Sequence, residues 1–280
     1  MTCCINGKFV KEKDAKISIF DHGFLYSDGF YDTMKSFHGV ILDFELHRTR
    51  IETSLKKLAL KLPWTMEQVG EWIQKMAFIH RKYLARIRLT ITRGSNDFDF
   101  TSCKHPTLII LAEPITLDAA LYRHGVSVMT FSMVRPVPEV KTLGLIGMTV
   151  ARRFLSEKKA FEAIFVHQGL VLEGSITNVF MVKHGKLYTP KSNILPGITR
   201  AEVIRISRKE GLKITERNIR VAEFLRADEI FLTNTKFGVT PVVSVNGRKV
   251  GSGKVGPVTK NIMGAFESYV KRYLGRKNIL

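Results

Sequence analysis

The stretch Leu84–Thr92 alternates without a fault: Ile87, Leu89 and Ile91 fall on one side, and Arg86, Arg88, Thr90 and Thr92 on the other. Side chains of an extended strand alternate with period two, so this pattern specifies a strand with one buried and one polar face. A sheet of this kind needs partner strands and a cover. Residues 1–10, residues 16–20 and Phe30–Phe37 read as the partners, with His38-Gly39 turning into Val40-Ile41-Leu42. The cover comes from two helices. Ile51, Leu55, Leu58 and Leu62 recur at helical spacing over 45–60, and Met66, Val69, Ile73 and Met76 over 65–79.

The strand Leu108–Leu111 is expected to break in Ala112-Glu113-Pro114-Ile115-Thr116-Leu117, and hydrophobic patterning restarts at Val126. The reading is therefore α/β (α+β) in two domains: 1–113, a linker over 114–124, and 125–280. The second domain should hold a helix near 148–160, strand pairs turning at His167-Gln168-Gly169 and His184-Gly185-Lys186, and a helix after Gly197. Strands at 229–234 and 240–245 and an amphipathic helix near 258–274 complete it. With 280 residues, 45% of them hydrophobic, the chain can fill two cores.

A net charge of +19 raises nucleic-acid binding as an alternative of a different class. Its distribution argues against it, because bases sit beside acids, as in Lys11-Glu12-Lys13-Asp14 and Arg208-Lys209-Glu210. Cys3, Cys4 and Cys103 match neither a disulfide framework nor a metal site, which points to a reducing cytoplasm. No apolar stretch approaches a membrane span, and no signal segment is expected at the N-terminus. Gly251-Ser252-Gly253-Lys254-Val255-Gly256 imitates a nucleotide-binding pattern, but Pro257 follows and too little chain remains for a nucleotide-binding unit; it reads as a loop.

Three segments carry chemistry. Lys141, in Val140-Lys141-Thr142-Leu143-Gly144, offers an amine that can condense with an aldehyde. Glu173, in Glu173-Gly174-Ser175-Ile176-Thr177-Asn178, offers a carboxylate able to pair with a protonated pyridine. Gly197-Ile198-Thr199-Arg200 opens a helix whose first amides can face a phosphate.

In this order the three segments resemble the class IV (fold-type IV) pyridoxal-phosphate aminotransferases, which include D-amino acid and branched-chain aminotransferases and aminodeoxychorismate lyases. Asp21-His22-Gly23-Phe24-Leu25-Tyr26-Ser27-Asp28-Gly29-Phe30-Tyr31 looks like the family's opening signature, and His47-Arg48-Thr49-Arg50 with Ser54 like its phosphate-arginine helix. Thr90-Ile91-Thr92-Arg93-Gly94, Thr233-Asn234-Thr235 and Val239-Thr240-Pro241-Val242 match further segments. The resemblance implies a small N-terminal α/β domain and a larger cofactor domain with a barrel-like sheet core. It implies pyridoxal 5'-phosphate as cofactor, amino acid and 2-keto acid substrates, and a homodimer. Lys141 would hold the cofactor and then move the proton at the substrate α-carbon. Glu173 would pair with the ring nitrogen, while Arg50, Ile198, Thr199 and Thr235 hold the phosphate.

The chain departs from its relatives around the substrate. It has Gly147-Met148-Thr149 where a branched-chain enzyme carries Gly-Asn-Tyr, Arg88-Leu89 for Arg-Pro, and Thr233-Asn234-Thr235 where Thr-Ala is expected. The Arg-x-His carboxylate trap of typical D-enzymes would fall near Phe98-Asp99-Phe100, which has neither group. The expectation is an atypical D-amino acid aminotransferase with Tyr31, Arg88 and Lys236 around the substrate carboxylate. Branched-chain transamination and aminodeoxychorismate cleavage are the alternatives within the family.

Overall fold

The computed structural model describes residues 2–95 and 99–276. It forms two compact units. The first takes the chain as far as Thr116, again at Val140–Gly144, and from Arg272 on; the second takes Leu117–Glu139 and Leu145–Lys271.

In the first unit, β1 (Thr2–Ile5), β2 (Lys8–Lys11), β3 (Gly29–Phe37), β4 (Val40–Ile41), β5 (Ala85–Thr92) and β6 (Thr107–Pro114) form an antiparallel sheet in the order β2-β1-β6-β5-β3-β4. Helices α1 (His22–Leu25), α2 (Phe44–Lys57) and α3 (Met66–Ile79) accompany it. The alternation in β5 is realised: Ile87, Leu89 and Ile91 are fully buried, in one core with Ile51 of α2 and Val69, Ile73 and Met76 of α3. Thr65 starts α3 with a capping box, its hydroxyl accepting from Gln68 N–H while the Gln68 side chain accepts from Thr65 N–H.

Two expectations fail locally. Residues 16–20 form no strand, because the Ser18 hydroxyl and carbonyl accept the Phe20 and Asp21 amides and bend the chain into a turn. Strand β6 does not break before Pro114; Pro114 pairs with Ala85 as the final rung, where its missing N–H removes nothing from the ladder interior.

Strand β4 covers only Ser36 and Phe37 of the β3 edge. The other end of that edge is taken by Val140–Gly144. Tyr31 N–H donates to the Lys141 carbonyl at 2.9 Å, and Leu143 N–H to the Gly29 carbonyl at 3.1 Å. A Cβ on Gly29 would come within 2.3 Å of the Ile91 carbonyl, so bare backbone is required there.

The second unit contains β7 (Val126–Ser132), β8 (Glu162–His167), β9 (Leu170–Gly174), β10 (Asn178–Lys183), β11 (Lys186–Thr189), β12 (Ile214–Glu216), β13 (Ile219–Arg220), β14 (Glu229–Asn234), β15 (Gly238–Val245) and β16 (Arg248–Lys249). Helices α4 (Ala119–His124), α5 (Ile146–Lys158), α6 (Ile198–Lys209), α7 (Val221–Phe224) and α8 (Pro257–Gly275) accompany them. The order is β12-β11-β10-β14-β15-β7-β8-β9-β13, with β16 on β15. Residues 175–177 alone join β9 to β10, yet five strand spacings separate the two in that order. Laid flat, five spacings span about 24 Å, whereas the four residue steps from Gly174 to Asn178 reach at most about 14 Å. The sheet therefore curls into a half-barrel.

Parallel neighbours need long crossovers, and two of the three parallel pairs in this sheet, β7–β8 and β11–β12 but not β7–β15, frame the chemistry-bearing segments. Lys141 lies in the connection between the parallel pair β7 and β8; Gly197 and α6 lie between the parallel pair β11 and β12. Val203 and Ile204 of α6 pack on the stacked Phe180 and Phe231 rings, 4.8 Å apart, which fixes the helix on the sheet.

Candidate active site

In the first unit the side chains of Lys141, Tyr31 and Arg88 converge. Lys141 Nζ donates to the Tyr31 hydroxyl at 3.1 Å and stands 4.4 Å from its ring centre. Arg88 Cζ lies 3.9 Å from the same centre, and Arg88 Nε donates to Thr90 Oγ1 at 3.3 Å. Tyr31 pairs with Thr90 across β3 and β5, and Arg88 sits one alternation away, so the polar face expected from sequence is the face that meets the lysine. Burial lowers the Arg88 pKa from its usual value. Among the described residues no carboxylate forms an ion pair with Arg88.

Arg50 lies in α2 and is buried. Its Nε donates to Asp32 Oδ2 at 2.8 Å, and His47 Nδ1–H donates to Asp32 Oδ1 at 2.7 Å. Burial by itself would raise the Asp32 carboxyl, but the Arg50 guanidinium and His47 outweigh it and hold the group well below the usual carboxylate range. Burial has the opposite effect on His47, lowering its pKa against the pull of Asp32. Ser54, one turn further along α2, donates its hydroxyl to the Arg50 carbonyl at 2.8 Å.

In the second unit, Glu173 is the penultimate residue of β9, 4% exposed. Its Oε1 accepts Arg135 Nε at 2.8 Å and Arg135 Nη2 at 2.5 Å, and its Oε2 accepts Leu195 N–H at 2.9 Å and Asn178 Nδ2 at 3.4 Å. Asn178 links this carboxylate to α6. A Cβ at Gly197 would fall 2.0 Å from Asn178 Oδ1, so only glycine fits there, and no side chain caps the helix. The buried Ile198 and Thr199 follow in its first turn, whose amides have no intrahelical acceptor. Thr235 and Lys236 sit in the turn between β14 and β15. That turn is held by Asn234 Oδ1, which accepts Phe237 N–H at 2.7 Å, and by the Tyr122 hydroxyl, which donates to the Phe237 carbonyl at 2.8 Å. Lys236 Nζ stands 4.9 Å from the Phe237 ring. Asn234 Nδ2 reaches the Ile176 carbonyl at 3.5 Å, tying the turn to the loop after Glu173.

Sequence reasoning missed Arg135, Tyr122 and Glu162. Glu162 is fully buried and organises the loop after Glu173. It accepts the amides of Ala163, Ser175 and Ile176 and the hydroxyls of Ser175 and Thr177. A carboxylate at the head of the apolar run Ala163-Ile164-Phe165-Val166 is a signal that could have found it. Arg135, inside Val134-Arg135-Pro136-Val137-Pro138, carries no such signal. Of the segment expected to lack a carboxylate trap, Phe98 lies outside the described residues. Asp99 there accepts the Thr101 and Ser102 amides and the Thr101 hydroxyl.

A family model described as Amino-transferase class IV matches residues 29–245. The chain belongs to the class IV aminotransferases. It is 35% identical to a putative branched-chain-amino-acid aminotransferase of Methanocaldococcus jannaschii, over 95% of this chain and 96% of that one. It is 29% identical to a D-alanine aminotransferase of Bacillus licheniformis, over 96% and 97%. Among solved structures, a branched-chain amino acid aminotransferase from T.th. with pyridoxamine 5'-phosphate is similar at a TM-score of 0.89 and 27% identity, covering 98% of this chain and 94% of that one.

Class IV aminotransferases use pyridoxal 5'-phosphate. The donor set fits that group: a carboxylate ringed by fixed donors suits a ring N–H, a bare-backbone turn opening an uncapped helix suits a phosphate, and a lysine beside a tyrosine hydroxyl suits an aldehyde.

Proposed function

We propose that this aminotransferase acts on D-amino acids and 2-keto acids, with Arg88 holding the substrate carboxylate. The carrying observation is Arg88 itself: a half-buried guanidinium with no carboxylate partner among the described residues, stacked on the tyrosine that holds the Lys141 amine. A carboxylate bound there gains charge-assisted hydrogen bonds from a planar fork. Identities of 28–30% to several D-alanine aminotransferases, over 95–96% of this chain, support the reading. The branched-chain alternative is favoured by the 35% identity to the Methanocaldococcus jannaschii relative.

In this reading Lys141 binds the cofactor aldehyde and, once displaced by substrate, moves the proton at the α-carbon. The Tyr31 hydroxyl orients its amine, and Lys236 adds a second cation for the carboxylate. Glu173 takes the ring nitrogen; Arg50, fixed by Asp32, joins Ile198, Thr199 and Thr235 at the phosphate. The bound cofactor supplies an electron-withdrawing ring that accepts charge from the α-carbon. The protein acts as a homodimer in the cytoplasm, a compartment whose reducing conditions suit its free cysteines. Among the described residues no helix is long and apolar enough to cross a membrane.

The test follows the visible band of the purified protein while D- and L-amino acids and aminodeoxychorismate are added in turn. D-amino acids should deplete the band, and Lys141→Ala should abolish both band and response. Arg88→Ala should keep the band and raise the amino acid KM about tenfold or more, as expected for losing a hydrogen-bonded charge worth about 1.5–3 kcal/mol. Arg88→Lys should recover only part, since an ammonium lacks the fork. Depletion by L-leucine alone would establish the branched-chain reading instead. A colourless protein that cannot be reconstituted sinks both.

A further inference from the structure

We propose that Arg135 is the positioning residue that fixes Glu173 for the cofactor's ring nitrogen; this rests on the role given to Glu173 above. A carboxylate as buried as Glu173 is stable as an anion only when its oxygens are matched by donors and charge. Arg135 supplies the charge through two nitrogens on Oε1, at 2.8 and 2.5 Å. The same Nη2 also donates to the Pro138 carbonyl at 2.6 Å, which pins the guanidinium plane to the backbone three residues before Lys141. A lysine ammonium could match the charge but not this planar three-contact geometry.

The hydrogen-bond directions then select one oxygen. A carboxylate offers about four lone-pair directions. Two on Oε1 are filled by Arg135, and one on Oε2 by Leu195 N–H at 2.9 Å. The contact from Asn178 Nδ2 to Oε2 is longer, at 3.4 Å, and that nitrogen already has a better acceptor in the Leu195 carbonyl at 2.9 Å. This long contact would yield more readily to a ring N–H than the Leu195 amide, so Oε2 would be the oxygen offered to the ring. Arg135 keeps Oε1 occupied, prevents the carboxylate from rotating, and favours its anionic form beside the proton that the ring must retain.

Two probes separate this role from plain structural support: pyridoxal 5'-phosphate, and its analogue with a CH group in place of the ring nitrogen. Both keep the aldehyde and phosphate; only the first can engage Glu173 through an N–H. Dissociation constants are read from absorbance and protein fluorescence for the wild type, Arg135→Met and Arg135→Lys. The expected result is a loss of about tenfold or more for pyridoxal 5'-phosphate in Arg135→Met, a change of no more than about twofold for the analogue, and partial recovery in Arg135→Lys. Equal weakening of both probes would assign Arg135 to folding of the 135–138 turn and overturn the proposal, as would no weakening of either. If the wild type itself bound neither probe, the cofactor reading of Glu173 would fail first; a coloured wild type with an indifferent Arg135→Met would sink only the role of Arg135.

Discussion

Two cations, Arg88 and Lys141, share the Tyr31 ring, and two more lie along the same strand face. Tyr31, Thr33 and Lys35 alternate on β3, and in register across β5 stand Thr90, Arg88 and Arg86. Arg86 is neutralised by Glu113, whereas Lys35 is 8% exposed and its burial lowers its pKa to about 8. The sign of the linkage follows. The folded chain releases the Lys35 proton near pH 8 and the unfolded chain near 10.5, so between those values the unfolded state binds more protons and stability rises with pH. Below pH 8 both states are protonated and the whole cost of burying the ammonium is present, on the order of 3 kcal/mol. Lys35→Met should therefore be more stable than the wild type at pH 7 by urea denaturation, with the difference shrinking towards pH 10.5. A difference that stays constant across that window would show that Lys35 is not the titrating group.

Elements whose cause is local were legible, and contacts that join distant residues were not. Ile87, Leu89 and Ile91 announced β5 because a one-sided strand writes its period into the sequence. Gly197 announced α6 because a close backbone approach excludes a Cβ. Residues 16–20 misled, since two isoleucines and a phenylalanine look strand-like while the bonds made by Ser18 decide the turn. The Arg135–Glu173 pair spans 38 residues and Asp32–Arg50 spans 18, and no periodicity encodes either. Helix α8 is a similar case. Its first amides, Val258 and Thr259 N–H, are accepted by the buried Glu229 carboxylate of β14 at 3.1 and 2.7 Å, and the Thr259 hydroxyl joins at 2.7 Å. A Cβ on Gly256 would come within 2.1 Å of that carboxyl, so the glycine before Pro257 makes room for the cap. Glu229→Ala should cost about 1–3 kcal/mol, combining a lost cap with an unsatisfied buried hydroxyl. Thermal unfolding reads this directly, and an unchanged midpoint would mean that α8 is capped by solvent.

At the scale of the whole chain, charge and apolar exposure pull in opposite directions. Five large apolar side chains lie exposed within Ile17–Leu25: Ile17, Ile19, Phe20, Phe24 and Leu25, with the two phenylalanines about two-thirds exposed. Exposed apolar groups gathered on one segment are costly in water and mark an association surface. A second copy of the chain is the partner proposed for it, since burying a phenyl ring is worth about 1.5–3 kcal/mol and a twofold contact buries each ring twice. Against this stands a net charge of +19, which makes two copies repel. Salt screens that repulsion, with a Debye length of about 8 Å at physiological ionic strength, but leaves the apolar term in place. Sedimentation should accordingly show a dimer that tightens as salt is raised, the reverse of an association held by opposite charges. Phe20→Ser/Phe24→Ser, which leaves the net charge alone, should sediment as a monomer at any salt while keeping the fold by circular dichroism. A double variant that remains dimeric would move the interface away from this segment, and a wild type that stays monomeric at low and high salt would end the dimer proposal.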